Sequence, residues 1–370
     1  MCRDCFHPPC RNKPDSKLQY VGQSLWFDNM TRGLLTSGTL KHYIDELSVT
    51  GLTSNPTIFD KAIGEPGAYD AAIARKAASG LSAEDLFFDL VLEDLTRAAD
   101  LFQPLHAATG GVDGWLSLEV SPLLAADTPG TIDAAVRLHR RAARPNLFIK
   151  IPGTPAGIPA IEEAIFAGVP VNVTLLFSRA QYQAAAEAYV RGIERRVAAG
   201  LDPKVESVAS LFISRWDAAV KADVPAEQQN RLCIAIATRA YTAYRGLFAS
   251  TRWQKLSAAG AHPQRLLWAS TGTKDPAVSD TLYIEALAAP DTVNTIPEKT
   301  LLAFADHGKV GAVLRADTTD ADALVGALKQ RGIDEDALAA RLQCDGADAF
   351  SASWSALMAR IAAKRQRVAV

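Results

Sequence analysis

A lysine lies inside an otherwise apolar segment of this sequence. Lys150 stands between Ile149 and Ile151 in the run NLFIKIP, residues 146–152. Burial disfavours the charged form of a lysine, and the neutral amine is a nucleophile that attacks carbonyl groups. A structural lysine paired with a buried carboxylate is the alternative explanation. Further polar groups near Lys150 would favour Schiff-base chemistry on a small carbonyl substrate.

Polar residues also stand near the ends of other apolar runs. They are Asp28 in SLWFDN (24–29), Asn55 in VTGLTSN (49–55), Glu119 in GWLSLEVS (114–121), Asn172 and Thr174 in GVPVNVTLLF (168–177), and Ser210 in VESVASLFI (205–213). Each has a structural explanation: Asp28 could cap a helix that begins near Thr31. Glu119 could be only the ion-pair partner of Lys150, and Asn55 could be only a turn former. Their shared position at the ends of successive runs favours an active site.

The scaffold must bring the ends of these runs together. Eight runs read as strands, at 24–29, 49–55, 114–121, 146–152, 168–177, 205–213, 265–271 and 291–297. Most are nearly continuous apolar segments, which is typical of parallel strands covered on both faces. Strand and helix alternating eight times predicts a closed (β/α)8 barrel of the TIM type, with its active site at the carboxyl ends of the strands. An open doubly wound sheet is disfavoured, because DNMTRGLL replaces the glycine-rich phosphate loop after the first strand.

Two helical segments exceed a minimal barrel. Residues 57–110 have the length of about two helices after the second strand, and residues 319–365 form a helical C-terminal tail. We predict one catalytic domain over residues 21–365, with helices at 81–102 after Ser82 and at 178–200 between Ser178 and Gly200. Residues 1–20 are predicted to be a disordered leader, although Cys2, Cys5, His7 and Cys10 could suggest a metal clip.

The composition limits the possible partners. Lys and Arg number 39 against 41 Asp and Glu, so there is no basic excess of the kind that nucleic acids or anionic membranes attract. No run approaches the roughly 20 apolar residues of a membrane span, and the N-terminus lacks the apolar segment of a secretory signal. We expect a cytoplasmic monomer or homodimer that binds neither nucleic acid nor membranes. Cys233 and Cys344 are predicted to be small buried residues.

Five segments resemble the signature blocks of transaldolases. They are LWFDN (25–29), TSNPTIF (53–59), LFIKIPGTPAGIPAIEEAIFAG (147–168), VNVTLLFS (171–178) and SLFISRWD (210–217). The resemblance extends in order from about residue 20 to residue 365, and the long block around Lys150 is the most specific part of it. Only the cysteine-rich leader falls outside the resemblance.

The resemblance implies a class I, Schiff-base-forming transferase of the non-oxidative pentose phosphate pathway. Such an enzyme moves a dihydroxyacetone unit from a ketose phosphate (sedoheptulose 7-phosphate or fructose 6-phosphate) to an aldose phosphate (glyceraldehyde 3-phosphate or erythrose 4-phosphate). It uses no cofactor and no metal. The resemblance makes Lys150 the Schiff-base lysine and Asp28 the acceptor of the proton from the C4 hydroxyl. Glu119 and Thr174 would hold a catalytic water.

The same resemblance assigns the substrate-binding residues. Asn55, Asn172 and Ser210 would orient the dihydroxyacetone unit, and Arg215 would bind the phosphate of the sugar. Many relatives have a second phosphate-binding arginine after the seventh strand, where this chain has ASTGTKD (269–275). Lys274 is expected to replace that arginine with a point charge in place of a planar fork.

Two other functions remain open at the level of the sequence. A class I aldolase would release free dihydroxyacetone, and relatives of that kind tend to have glutamine at position 119 and tyrosine at position 212. Glu119 and Phe212 therefore favour transfer. A non-catalytic sugar-phosphate-binding barrel would keep Arg215, but it would have no use for Lys150, Asp28 and Glu119 together.

Overall fold

Eight parallel strands close into a barrel in the order of the chain. The computed structural model describes residues 14–76 and 80–368. The strands are β1 Ser24–Asp28, β2 Val49–Thr53, β3 Trp115–Glu119, β4 Leu147–Pro152, β5 Val171–Leu176, β6 Ser207–Phe212, β7 Arg265–Ala269 and β8 Val293–Ile296. Each strand pairs with the next, and β8 pairs with β1. The predicted α/β fold, a single (β/α)8 barrel, and all eight predicted strands are confirmed.

Helices surround the barrel. Before β4 they are α1 Pro14–Val21, α2 Arg32–Thr36, α3 Thr39–Glu46, α4 Pro56–Gly64, α5 Asp70–Lys76, α6 Ala83–Ala108 and α7 Thr128–Ala142. After β4 they are α8 Gly157–Phe166, α9 Arg179–Ala198, α10 Ser214–Val220, α11 Leu232–Phe248, α12 Thr251–Ala258, α13 Leu282–Ala286, α14 Glu298–His307, α15 Thr319–Gln330 and α16 Glu335–Val368. Short 3-10 helices span Pro122–Leu124 and Ala226–Gln228. In the described part of the chain, no helix combines the length and apolarity that crossing a membrane demands.

The helices that exceed a minimal barrel lie in the two segments predicted from the sequence. Three helices, α4 to α6, follow β2 where about two were predicted, and α15 and α16 form the C-terminal tail. Ser82 caps α6 by accepting a hydrogen bond from the Asp85 amide, and Ser178 caps α9 within a complete capping box. Gly200, just beyond α9, has a φ of 69°, which glycine adopts without steric cost.

Aromatic side chains form the floor beneath the polar end of the barrel. Trp26 and Phe148 lie two residues before Asp28 and Lys150, and Trp115 lies four residues before Glu119, so each ring is on the same face of its strand as a residue of the predicted site. The Trp115 and Phe148 rings stack with centroids 4.1 Å apart, and Trp26 lies 6.1 Å from Phe148. A Cβ atom at Gly51 would lie 2.5 Å from Nε1 of Trp26, so glycine makes room for this indole.

Two predictions about the flanking segments need correction. The segment 1–20 was predicted to be disordered, but residues 14–21 form α1, which packs against β1 and α14. Its Leu18 is fully buried, and this tertiary packing stabilises a helix too short to persist alone. The leader cysteines and His7 lie outside the described residues. Cys233 is buried as predicted, whereas Cys344 is exposed on the outer face of α16.

Candidate active site

The register of the strands brings the predicted site residues to one end of the barrel. Glu119 of β3 lies opposite Lys150 of β4, and Lys150 lies opposite Asn172 of β5. Asp28 ends β1 opposite Thr53 of β2. Since parallel strands all end at the same rim, these side chains converge at the carboxyl end, above the aromatic floor.

Lys150 is buried and held by two groups. Its side chain is only 6% exposed, and Nζ donates a hydrogen bond to the Ser54 carbonyl oxygen at 3.1 Å. The same Nζ lies 3.5 Å from Oε2 of Glu119. This is the ion pair that Lys150 and Glu119 would form if their roles were only structural. It also leaves a buried amine beside a carboxylate, which is the pair of groups that proton transfer at an amine needs.

Glu119 and Thr174 present polar atoms without hydrogen-bond partners. Both residues are buried. Among the described residues, the two carboxylate oxygens of Glu119 and the hydroxyl of Thr174 have no hydrogen-bond partner. Burial raises the pKa of the Glu119 carboxyl, an effect opposed by the positive charge of Lys150 and increased by the nearby Asp28. Buried polar atoms are normally satisfied, so this pair is suited to binding water or substrate.

Asp28 lies at the mouth of the barrel, where the residue is partly exposed but its carboxyl is surrounded by protein. Burial raises the pKa of its carboxyl, and the charge of Lys150 and a hydrogen bond from Thr53 act in the opposite direction. Oγ1 of Thr53 donates to Oδ1 of Asp28 at 2.7 Å. The helix after β1 is capped by Thr31, whose side chain accepts from the Leu34 amide. Helix capping therefore does not explain Asp28.

A chain of hydrogen bonds fixes the Asn172 amide beside Lys150. Ser210 donates from Oγ to Oδ1 of Asn172 at 2.7 Å, and Asn172 donates from Nδ2 to Oγ of Ser117 at 3.0 Å. All three side chains are buried. Asn55, at the end of β2, accepts from the Ile58 amide at 3.1 Å and caps α4. Asn55 therefore has the structural role of a helix cap, whereas the sequence suggested a turn, and it adjoins the Ser54 carbonyl that holds Lys150.

The backbone of β5 is irregular next to Thr174. Leu175 has a φ of 59°, a left-handed conformation that is unfavourable for a leucine. The pairing of β5 with β6 shifts between Val173 and Leu176, which is the mark of a β-bulge. Bulges of this kind re-aim side chains and are frequent beside active sites. Such strain persists only where the surrounding structure holds it.

Two cations lie together at the rim. Arg215 is in the first turn of α10, partly buried, with Cζ 5.2 Å from the centre of the Phe212 ring. Lys274 is more exposed, in the loop after β7. Removal from water lowers the pKa of both side chains, and the positive charge of Arg215 lowers the pKa of Lys274 further. The negative charge of Asp345 opposes this lowering at Arg215. Neither cation forms an ion pair within 4 Å in the described part of the chain, so the two present a site of net positive charge.

Comparison with known proteins assigns the family. The family described as Transaldolase/Fructose-6-phosphate aldolase matches residues 25–361, which is most of the chain. The chain belongs to this family. A transaldolase of Arthrobacter sp. (strain FB24) is 44% identical over 354 residues, covering 93% of this chain and 95% of the relative. A transaldolase of Thiobacillus denitrificans is 44% identical over 349 residues, covering 92% of this chain and 97% of the relative. A transaldolase 2 of Streptomyces coelicolor is 41% identical over 362 residues, covering 95% and 97%.

Three groups in this transaldolase-family site escaped the sequence analysis. The Ser54 carbonyl that holds Lys150 is a backbone atom, and no residue type announces it. Thr53, which donates to Asp28, could have been found, because parallel pairing of the first two runs places their last residues side by side. Ser117, the partner of Asn172, could have been found by counting back two residues from Glu119 on the same face.

Proposed function

We propose that this chain transfers dihydroxyacetone from a ketose phosphate to an aldose phosphate through a Schiff base on Lys150. The donor is sedoheptulose 7-phosphate or fructose 6-phosphate, the acceptor is glyceraldehyde 3-phosphate or erythrose 4-phosphate, and the pathway is the non-oxidative pentose phosphate pathway. The observation that carries the proposal is the buried Lys150 amine, 3.5 Å from Glu119, in a chain of this family. Multiply charged sugar phosphates do not cross bilayers unaided, which favours a cytoplasmic enzyme.

The first step joins the substrate to Lys150. The neutral amine attacks the C2 carbonyl carbon of the ketose and forms a C–N bond, and the former carbonyl oxygen becomes a hydroxyl. Loss of that hydroxyl as water then requires a proton. Glu119 and Thr174, whose polar atoms have no hydrogen-bond partners among the described residues, would hold a water that carries this proton. The raised pKa of Glu119 suits a group that accepts and returns one proton in each cycle.

The second step breaks the carbon–carbon bond. Asp28 takes the proton from the C4 hydroxyl, and the electrons of the C3–C4 bond move into the iminium. The products are an aldose phosphate and an enamine on Lys150. The iminium accepts the electrons, so the step requires neither metal nor organic cofactor. The raised pKa of Asp28 makes it a stronger base once it is ionised.

In the third step the enamine carbon attacks the aldehyde carbon of an acceptor aldose and forms a new carbon–carbon bond, and Asp28 returns its proton to the new hydroxyl. Water then hydrolyses the iminium, which releases the product ketose and the Lys150 amine. Asn55, Asn172 and Ser210 would hold the hydroxyl groups of the enamine, with the Asn172 amide fixed by Ser117 and Ser210. Phe212 contributes an apolar wall and packs on Phe177, with ring centres 5.3 Å apart. An apolar wall offers no proton to the enamine, which favours transfer over release.

Dependence on an acceptor tests the proposal. Release of glyceraldehyde 3-phosphate from fructose 6-phosphate is followed with and without erythrose 4-phosphate. Transfer predicts about one release per active site without the acceptor and continuous turnover with it. Many turnovers without erythrose 4-phosphate would replace this function with that of an aldolase releasing free dihydroxyacetone. No release in either condition would indicate a sugar-phosphate-binding barrel.

A further inference from the structure

The C-terminal helix α16 reaches the ends of β4 and β5 through one side chain. Nε2 of Gln343 donates to the Gly153 carbonyl oxygen at 3.0 Å and to the Leu175 carbonyl oxygen at 2.9 Å. The Gln343 residue is only 8% exposed. A helical glutamine ordinarily points into solvent, so a buried amide that uses both of its protons on distant carbonyls indicates a specific role.

The two carbonyls flank the position of Thr174. Gly153 follows β4, and its amide donates to the Thr174 carbonyl oxygen at 2.7 Å. Leu175 is the residue with a φ of 59° in the bulge of β5. Gln343 therefore bridges the ends of the strands that carry Lys150 and Thr174, at the point where β5 leaves regular pairing.

The adjacent turn of α16 is shaped for this close approach. A Cβ atom at Gly346 would lie 2.9 Å from Cδ2 of Leu175 and 3.2 Å from Nη1 of Arg215. Glycine at this position lets the helix lie directly on the bulge. Further along, Trp354 anchors α16 between Phe87 and Phe88, with ring centres 5.0 and 5.7 Å away. The helix is thus fixed independently of Gln343.

We propose that Gln343 is a positioning residue of the reaction, which holds the strained Leu175 backbone and thereby keeps Thr174 in place relative to Lys150 and Glu119. The inference rests on the proposed function, because it assigns Gln343 to the water-dependent formation of the Schiff base. Without the two donated hydrogen bonds, both carbonyls lose their partner and the bulge is free to relax toward regular pairing. Thr174 then moves away from the water it holds with Glu119, while Arg215 and Lys274 keep their positions.

Three substitutions test this role. Gln343→Met keeps the length of the side chain and removes both donated protons, and Gln343→Asn keeps the amide on a stem too short to reach both carbonyls. Leu342→Ala is the matched control, since it removes a buried apolar side chain from the same turn and leaves the amide intact. Measured quantities are the Tm, kcat and KM for fructose 6-phosphate with erythrose 4-phosphate, and the single-turnover rate at which borohydride traps the adduct on Lys150.

The expected result is a split between kcat and KM. In Gln343→Met, we expect kcat and the trapping rate to fall about tenfold or more, with KM within about twofold of wild type. Gln343→Asn should lie between Gln343→Met and wild type, which keeps the test decisive if Gln343→Met does not fold. Leu342→Ala should lower the Tm at least as far as Gln343→Met does, while its kcat stays within about twofold of wild type.

Two results would overturn this inference and leave the proposed function intact. One is a wild-type trapping rate in both Gln343 variants, and the other is a loss of kcat in Leu342→Ala that equals the loss in Gln343→Met at the same Tm. Failure of the proposed function is distinguishable, because it requires that wild-type enzyme itself forms no adduct on Lys150, and that result would overturn both.

Discussion

Removing the two cations at the barrel rim is expected to weaken the use of phosphorylated donors selectively. Arg215 lies against the Phe212 ring, partly buried, and has no ion-pair partner within 4 Å among the described residues. A guanidinium held in this way is preorganised to bind the oxygens of a phosphate. Arg215→Ala, Lys274→Ala and the double variant separate the two contributions.

The expected magnitudes follow from the surroundings of each cation. A hydrogen bond to a charged group contributes about 1.5–3 kcal/mol, so Arg215→Ala should lower kcat/KM by about 10- to 150-fold. Lys274 is more exposed, and its loss should cost about 1 kcal/mol or less, which is about fivefold at most. Because Arg215 lowers the pKa of Lys274, removing Arg215 leaves a more firmly protonated Lys274. The double variant should therefore lose more than the product of the single losses.

The assay compares fructose 6-phosphate with fructose as donor. D-Erythrose serves as the acceptor in both cases, so that the phosphate of the donor is the only one present and sedoheptulose is the new product with either donor. Lys221→Ala is the matched control, because this lysine lies near Lys274 but is already paired with Asp275 at 2.5 Å. We expect it to change kcat/KM less than about twofold. Equal losses on fructose and fructose 6-phosphate in Arg215→Ala would refute phosphate binding and leave Arg215 a structural residue.

Three further perturbations address the chemistry. Asp28→Asn should lower kcat at least about a hundredfold and yet raise the free energy of unfolding at neutral pH. Burial raises the pKa of Asp28, so ionisation of this carboxyl lowers the free energy of unfolding of wild type above that pKa. The gain in free energy of unfolding in Asp28→Asn, measured in urea melts, should vanish as the pH falls below the unfolded pKa near 3.9. A gain that persists at low pH would contradict this. Phe212→Tyr should increase free dihydroxyacetone relative to transfer, measured by product ratio, and an unchanged ratio would exclude Phe212 from controlling release. EDTA should leave transfer activity unchanged, because in the described residues no group of three or more His, Cys, Asp or Glu could hold a metal ion; activity that EDTA removes and a divalent ion restores would contradict the iminium mechanism.

The barrel could be predicted because its strands are covered on both faces. Continuous apolar runs and eightfold alternation are enough to specify closure, and polar residues such as Lys150 stand out against them. The strand ends were less accurate, as β5 was predicted over 168–177 and is observed over Val171–Leu176. Val169 and Phe177 outside it are also buried, so apolarity alone does not mark where pairing stops.

The predicted helix ends were wrong where tertiary packing outweighed the local sequence signals. The prediction for α6 ended at residue 102, but the helix continues through Pro104 to Ala108. The C-terminal tail was predicted as helical over 319–365, and within it α16 begins at Glu335 and continues through Gly346 to Val368. Proline and glycine weaken isolated helices. Here Gly346 provides the space for Leu175 and Arg215, and that benefit is visible only in three dimensions.

The sequence allowed some residues of the candidate site to be grouped, but not those brought together only by tertiary packing. Residues on the strands, such as Glu119 and Asn172, could be grouped from their common position near strand ends. The proximity of Lys274 to Arg215 followed only from the family resemblance, because Arg215 lies in α10 and Lys274 in the loop after β7. Gln343 is 190 residues from Gly153, and a glutamine in a helix carries no signal of a buried bond.

The proposed covalent role of Lys150 is tested most directly by reduction of the intermediate. Enzyme is mixed with fructose 6-phosphate and borohydride, digested, and mapped by peptide mass, with Lys150→Met as the control that keeps the length of the side chain. We predict a reduced dihydroxyacetone or hexose phosphate adduct on Lys150, and none on the folded control. An adduct on a different lysine, with Lys150 unmodified, would contradict the proposed mechanism.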